Sequence, residues 1–93
     1  MDRVLNVLNQ QGEFETTFQG FIKEDQYLYL IVGENKKEGF ASSLIVQLRD
    51  YAITTLFNNE MNMIGKPLTI EFEKVSDPGE GFEYQILLGA KIN

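Results

Sequence analysis

The acidic side chains near the C-terminus are the residues whose spacing suggests chemistry most clearly. Glu71, Glu73 and Glu83 occupy outward positions of two apparent strands, which a Pro-Gly turn containing Asp77 and Glu80 joins. Alternate residues of a strand lie about 6.6 Å apart on one face, so these carboxylates would form a row. A row of this kind accepts charge-assisted hydrogen bonds from Lys and Arg side chains. We therefore predict that Glu71, Glu73, Asp77, Glu80 and Glu83 bind a partner.

The same acidic row has a second interpretation that needs no partner. Solvated sheet faces of soluble domains carry charged residues as a matter of course. Charges on an exposed strand also oppose edge-to-edge aggregation. Both interpretations stay open at the level of sequence.

A second candidate surface lies on a helix predicted over residues 44–64. At 100° per residue, one stripe of this helix faces a sheet, and a further apolar row lies beside it. The stripe comprises Leu44, Leu48, Ala52, Thr55 and Leu56. Arg49 and Glu60 separate the row from the stripe. Either a short first helix and the loops cover this row, or it is an exposed interface. We predict a partner or dimer interface at Val46, Arg49, Ile53, Phe57 and Ile64.

Other site chemistries have little support in the sequence. The chain has no His and no Cys, so the commonest metal ligand, the thiolate nucleophile and the usual general base are all missing. Lys36 and Lys37 lie in a loop before the long helix, but their spacing does not match a P-loop. The stretch "SDPGEG" lacks the ligand ladder of a calcium-binding EF-hand. We predict a protein that is not an enzyme and that has no cofactor and no metal.

Two segments in the first half read as strands that could position these surfaces. "EFETTFQGFIK" alternates apolar and polar residues, and Gly20 interrupts the row in the manner of a β-bulge. "YLYLIV" is apolar on both faces, which is typical of a central strand covered on both sides. The following "GENKKEGFASS" reads as a polar loop. Residues 2–11 predict a short helix, with a strand as the alternative, since the window is too brief for periodicity to decide.

The long helix and the hairpin that follows it dominate the second half. Ser42 or Ser43 is positioned to cap the helix, and Gly65 to close it in a left-handed conformation. In the hairpin, Pro78 and Gly79 suit the bend, with the glycine supplying the positive φ. Apolar residues at every second position form the predicted inward row, which comprises Leu68, Ile70, Phe72, Phe82, Tyr84, Ile86, Leu88, Ala90 and Ile92.

These segments predict an α+β fold, in which one long and one short helix pack on an antiparallel four-stranded sheet. The order would be α-β-β-α-β-β, in a single domain over residues 1–93. This layout resembles, in topology alone, the small profilin-like and roadblock-like domains, which tend to form dimers.

Charge and composition narrow the range of partners. Fourteen acids against eight bases give a net charge of −6, which opposes direct contact with nucleic acid. No apolar run has the length of a membrane helix, and the N-terminus does not resemble a signal peptide. We predict a cytoplasmic, soluble protein without membrane contact, whose partner is a protein, with a basic one favoured by the charge.

Two functional hypotheses follow from the sequence. The first is a small acidic module for protein interaction, acting as a homodimer or as a subunit of an assembly. The alternative is an acidic inhibitor, of the phage counter-defence type, that occupies the basic cleft of a nucleic-acid-binding protein. The steepness with which salt weakens binding distinguishes the two.

Overall fold

The structure is a computed structural model, and it describes residues 8–93. Three strands come first, followed by three short helices, here called the helical connection (residues 44–63), and two more strands. The α+β class is confirmed, whereas the predicted four-stranded order α-β-β-α-β-β is wrong, because the sheet is five-stranded and mixed. The elements are β1 Leu8–Glu24, β2 Tyr27–Val32, β3 Glu38–Ser42, α1 Leu44–Arg49, α2 Tyr51–Asn58, α3 Glu60–Met63, β4 Pro67–Asp77 and β5 Phe82–Ile92.

The first strand is long enough to pair with two neighbours. Its first half, residues 8–17, runs antiparallel to β4, and its second half, residues 18–24, runs antiparallel to β2. Residues 8–11 therefore follow the strand alternative for the N-terminal segment, and the rest of that segment lies outside the described residues. Gly12 allows the Phe72 ring to pack directly on β1, since a Cβ there would lie 2.7 Å from two ring carbons.

A bulge at Gly20 bends β1 where it changes partners. The register shifts between Phe18 and Gly20, and Gly20 has a φ of 114°, a conformation that suits glycine. The predicted bulge is confirmed. The N–H of Phe21, which follows the bulge, donates to the Glu60 carboxylate at 2.9 Å. The helical connection is thereby hydrogen-bonded to the bend of β1.

The third strand was not predicted from the sequence. Residues 38–42, "EGFAS", lie inside the segment interpreted as a polar loop, yet they pair antiparallel with β2. Phe40 is the one large apolar residue of this strand, and it is buried in the core. A five-residue strand whose other members are small or charged gives almost no alternating signal.

Parallel pairing between β3 and β5 closes the sheet into a barrel. The strand order is β1-β2-β3-β5-β4, and β4 returns to β1. Five strands in this order, with a helical connection between the third and the fourth, have the topology of the OB-fold barrel. The resemblance to profilin-like and roadblock-like domains does not hold, since β1 comes first in the described chain and the sheet closes on itself.

The barrel interior holds the hydrophobic core. Inward residues of the strands meet two residues of α2 there, so the helical connection covers one end of the barrel. Deleting a buried aliphatic side chain from such a core costs about 2–5 kcal/mol. The core residues are Phe18, Leu30, Val32, Phe40, Ile53, Leu56, Leu68, Ile70 and Leu87.

The predicted long helix is broken at Asp50. This residue has an extended backbone, with φ −87° and ψ 114°, and its carboxylate caps α2 by accepting from the N–H of Ile53 at 3.0 Å. The second carboxylate oxygen accepts from the N–H of Ala90 in β5 at 3.2 Å. A single straight helix would give Asp50 neither bond. Among residues 8–93, no helix has the length and apolar character needed to cross a membrane.

The break rotates α1 away from the orientation predicted for it. Leu44 and Leu48 belong to the stripe expected to face the sheet, yet both are exposed, Leu48 to 74%. Leu56, in the same stripe but after the break, is fully buried. Gly65 takes a left-handed conformation after the last helix, as expected, with a φ of 91°.

The C-terminal hairpin is confirmed, but four of the nine residues in its predicted inward row point outward. Leu68 and Ile70 are buried as predicted. The register then shifts, because Glu71 pairs with Gly89 and Phe72 with Leu87, which leaves Leu88 as an extra residue. One extra residue exchanges the two faces of a strand. The residues of β5 that were predicted to point inward and instead line the outside are Phe82, Tyr84, Ile86 and Leu88.

The hairpin turn also differs from the expectation. The positive φ belongs to Gly81, at 78°, and not to Gly79. The N–H of Gly81 donates to the carbonyl of Asp77 at 2.7 Å, so the turn closes one residue later than a simple Pro-Gly bend. Gly81 therefore takes the left-handed position that a hairpin of this length requires.

Candidate binding groove

A shallow groove of about 960 Å³ runs across the outer face of β2, β3 and the first half of β5. Three tyrosine side chains line it, Tyr27 and Tyr29 from β2 and Tyr84 from β5. Small residues of β3, Gly39 and Ala41, lie between the two sides. We call this feature the aromatic groove. It combines an apolar surface with phenol groups that can donate and accept hydrogen bonds.

Strand alternation places the two tyrosines of β2 on the outside. Leu30 and Val32 point into the barrel, so the residues that alternate with them along the strand face outward. The ring centroids of Tyr27 and Tyr29 lie 6.3 Å apart. The prediction that this strand is covered on both sides is wrong, because Tyr27 is more than half exposed.

The bulge in β5 supplies the third tyrosine. Because Leu88 is the extra residue, Tyr84 faces outward and is 51% exposed. Phe82 stacks beside it with ring centroids 5.7 Å apart and an interplanar angle of 27°. Without the bulge, this side chain would point toward the core, so the groove depends on the irregularity.

Among the described residues, Glu83 is the only charged one that lines the aromatic groove. Its carboxylate lies 3.6 Å from the Lys74 ammonium, and both side chains are partly exposed, so the pair is weak. Because Glu83 precedes Tyr84 in the strand, its side chain points to the opposite face of β5, toward Lys74. No Lys or Arg of residues 8–93 lines the groove itself.

The structure divides the predicted acidic row into separate environments. Glu71 and Glu73 lie on one outer face of β4, together with Glu13 and Glu15 of β1, and we call these four residues the glutamate face. Glu13 pairs directly opposite Glu71, so two like charges are neighbours across the strands. The side-chain amide of Gln11 donates to Glu73 at 3.2 Å. The face collects more carboxylates than the sequence analysis assigned to it.

Asp77 and Glu80 do not join that face. Asp77 is 3% exposed, and its carboxylate accepts from the N–H groups of Gly79 at 2.9 Å and Glu80 at 3.2 Å. This carboxylate stabilises the hairpin turn. Glu80 is exposed at the tip of the turn. The Asp77 carboxylate, which the sequence analysis assigned to a partner, is therefore hydrogen-bonded within the turn.

The predicted helix row is not a continuous surface. Ile53 is 1% exposed and belongs to the core, and Val46 packs against that core. Phe57 and Ile64 are about half exposed, with the Phe57 ring 5.5 Å from that of Phe21. Arg49 is exposed at the end of α1. Core packing therefore uses Ile53 and Val46, and a partner contact at Arg49, Phe57 and Ile64 stays a prediction.

The helical connection exposes a different apolar surface from the predicted helix row. Its members follow helical spacing over α1 and the start of α2, and all are more than 60% exposed. We call this surface the α1 patch, and it comprises Leu44, Ile45, Leu48 and Tyr51.

Within residues 8–93, no three His, Cys, Asp or Glu side chains converge in a way that could hold a metal ion. The expectations of no metal, no cofactor and no catalysis stay predictions. Comparison of the chain with protein families, with curated proteins and with solved structures found no significant match. Inference about function therefore depends on the strand order and on the chemistry of the surfaces.

Proposed function

We propose that this protein is a non-enzymatic module for protein interaction, and that it binds a partner protein in the aromatic groove. The observation that carries the proposal is the exposure of Tyr27 and Tyr84, with the half-buried Tyr29 between them, around a floor of small residues. Tyrosine is enriched at protein interfaces, and contacts centred on such side chains supply much of the binding energy.

The charge of the molecule favours a basic partner segment. The chain carries a net charge of −6, and no Lys or Arg in the part of the chain that the structure describes lines the groove. Lysine and arginine side chains gain from a nearby carboxylate and from the faces of tyrosine rings. An acidic partner would meet repulsion at the same place.

Affinity purification from the native host tests this proposal. The tagged wild type is compared with Tyr84→Ala, and with Met61→Ala as a control for the loss of an exposed apolar side chain. Met61 lies in α3, outside both the groove and the α1 patch, and is 87% exposed. We expect the partner to be recovered with wild type and with the control and to be lost with Tyr84→Ala. Equal recovery by all three folded proteins would exclude the groove as the binding site.

The strand order favours a second candidate, which is single-stranded nucleic acid. OB-fold barrels bind oligonucleotides on the face of strands 2 and 3, and aromatic side chains there stack on bases. Phosphate contacts, however, need cationic side chains, and none from residues 8–93 lines this groove. The test is fluorescence anisotropy with an oligothymidine at 50 and 200 mM salt. If binding weakens steeply with salt and disappears in Tyr27→Ala, the ligand of the groove is single-stranded nucleic acid and not a protein.

The inhibitor hypothesis now depends on the glutamate face. Four carboxylates on one outer face of β1 and β4 would complement the basic cleft of a nucleic-acid-binding protein. This face and the aromatic groove are different surfaces, so substitutions separate the two hypotheses. The inhibitor hypothesis is favoured if the double variant Glu71→Lys with Glu73→Lys loses the partner while Tyr84→Ala binds it as wild type does.

Homodimer formation, also predicted from the sequence, has its best remaining support in the α1 patch. Exposed apolar residues with helical spacing are typical of interfaces between subunits. Light scattering of wild type and of Leu48→Asp tests this. We expect the wild type to show the mass of a dimer and the variant that of a monomer, with Lys36→Asp as a control for added charge. A wild type that stays monomeric at high concentration would contradict self-association.

A further inference from the structure

The barrel is incompletely closed between β3 and β5. The two strands pair only through Ala41 with Ile86 and Ser42 with Leu87. Before these pairs, residues 38–40 of β3 continue beside β2, and residues 82–85 of β5 continue beside β4. We call the gap between these two stretches the seam. No strand among residues 8–93 pairs with residues 82–85 on the edge that faces the seam.

A side chain bridges the seam where backbone pairing ends. The amide of Gln85 donates to the carbonyl oxygen of Gly39 at 3.2 Å. This bond replaces a ladder hydrogen bond that a neighbouring strand would otherwise make. A single hydrogen bond of this kind contributes little net stability, because water competes for both groups. The Gln85 side chain is therefore easily displaced by a backbone N–H.

Cavities lie on both faces of the sheet at the seam. The aromatic groove is on the outer face, and a cleft of about 310 Å³ is on the inner face. Gln85 lines both of them. The inner cleft, here the phenyl cleft, contains a cluster of Phe14, Phe40 and Phe72, whose ring centroids lie 5.6 to 5.9 Å apart.

We propose that an extended segment of the partner protein adds as a strand in the seam, along residues 82–85 of β5. This inference deepens the proposed function and rests on it. Peptides that add to an exposed sheet edge gain affinity from backbone hydrogen bonds and specificity from pockets for alternate side chains. The seam offers both, since side chains of an added strand point alternately to the two faces of the sheet.

The two cavities define the chemistry of that segment. Side chains that enter the phenyl cleft have an apolar part that packs on its three aromatic rings. The other residues that line this cleft are Gln10, Glu38, Lys74 and Gln85. Side chains that enter the aromatic groove are basic, because they meet the tyrosine faces of a protein whose net charge is −6. At about 3.3 Å per residue, a segment of roughly four to six residues spans the seam. The expected occupant alternates basic and apolar residues.

A labelled hexapeptide that alternates lysine and valine is the probe for this inference. Its affinity for the protein is compared with that of the same peptide carrying N-methyl groups on alternate backbone nitrogens. A peptide of equal composition with three lysines followed by three valines serves as the control for charge. We expect the N-methylated peptide to bind at least about tenfold more weakly, since it loses two or more backbone hydrogen bonds. We expect the control peptide, with three lysines followed by three valines, to bind as weakly as the N-methylated peptide.

Amide hydrogen exchange gives a direct readout of the same event. Exchange at the outward-facing amides of residues 82–85 should slow when the alternating peptide binds, while exchange along the α1 patch should not change. Gln85→Ala should bind the peptide at least as tightly as wild type, because no side chain must be displaced.

The outcomes separate the inference from the proposed function. Binding that requires Tyr84 but tolerates N-methylation leaves the groove as the site and overturns strand addition. Binding that is equal in wild type and in a folded Tyr84→Ala overturns both. No binding of the alternating peptide at millimolar concentration also overturns strand addition.

Discussion

The barrel is closed on one side by a long ladder and on the other by a short one. Residues 8–17 of β1 pair with residues 67–76 of β4 through ten residue pairs, whereas β3 and β5 share two. The long ladder buries Leu68 and Ile70 beneath it. The short one leaves Tyr84 exposed and a backbone edge unpaired. Stability and binding are therefore expected to depend on opposite sides of the same barrel.

The largest expected effect comes from truncating one isoleucine on each side. Ile70 is fully buried under the long ladder, so Ile70→Ala should lower the free energy of unfolding by about 2–5 kcal/mol. Ile86 is half-buried in the aromatic groove, so Ile86→Ala should cost about 1 kcal/mol or less, since a smaller apolar area is lost. Denaturant unfolding of both variants provides the measurement. Equal losses would contradict the division of roles between the two sides.

A smaller effect is expected at Asp50, which links the helical connection to β5. Asp50→Ala removes the cap of α2 and leaves the N–H of Ala90 without its acceptor, which should cost about 1–3 kcal/mol. Asp50→Ser keeps a capping oxygen but does not reach Ala90, so it should recover about 1 kcal/mol of that loss. Thermal and denaturant melts measure both. An Asp50→Ala variant as stable as wild type would show that the break in the helix needs no cap.

The smallest expected effect is a gain in stability on the glutamate face. Glu71→Lys replaces a like-charge pair with Glu13 by an opposite-charge pair across β1 and β4, which should add about 0.2–1 kcal/mol. The gain should shrink as salt is raised, because the side chains are exposed. Glu34→Lys, in an exposed loop, controls for the change in total charge. A gain of equal size in the control would assign the effect to net charge.

The sequence predicted the parts of the fold that have a strong alternating pattern. The strand around Phe18, the bulge at Gly20 and the hairpin all follow from residue types and their spacing. The outward tyrosines of "YLYL" were also readable, since leucine and tyrosine alternate there, but the apolar character of the whole run favoured burial on both faces.

Three features could not be predicted because their cause lies in tertiary contacts. The third strand carries one large apolar residue, Phe40, and its pairing comes from β2 and β5. The helix breaks at Asp50 because its carboxylate finds partners in both α2 and β5. The shift in pairing register at Leu88 is not visible in the sequence, because apolar and polar residues alternate regularly on both sides of it. This shift determines which residues form the groove.

Two carboxylates of the helical connection reach strands near bulges, with Glu60 at Phe21 and Asp50 at Ala90. Gly20 and Gly89 leave room for them, since a Cβ at either glycine would lie 3.1 Å from the carboxylate oxygen. The segment between these two acids thus has a defined length, set by the distance between two points on the barrel wall. An insertion between residues 50 and 60 would therefore break one of these two hydrogen bonds to the barrel wall.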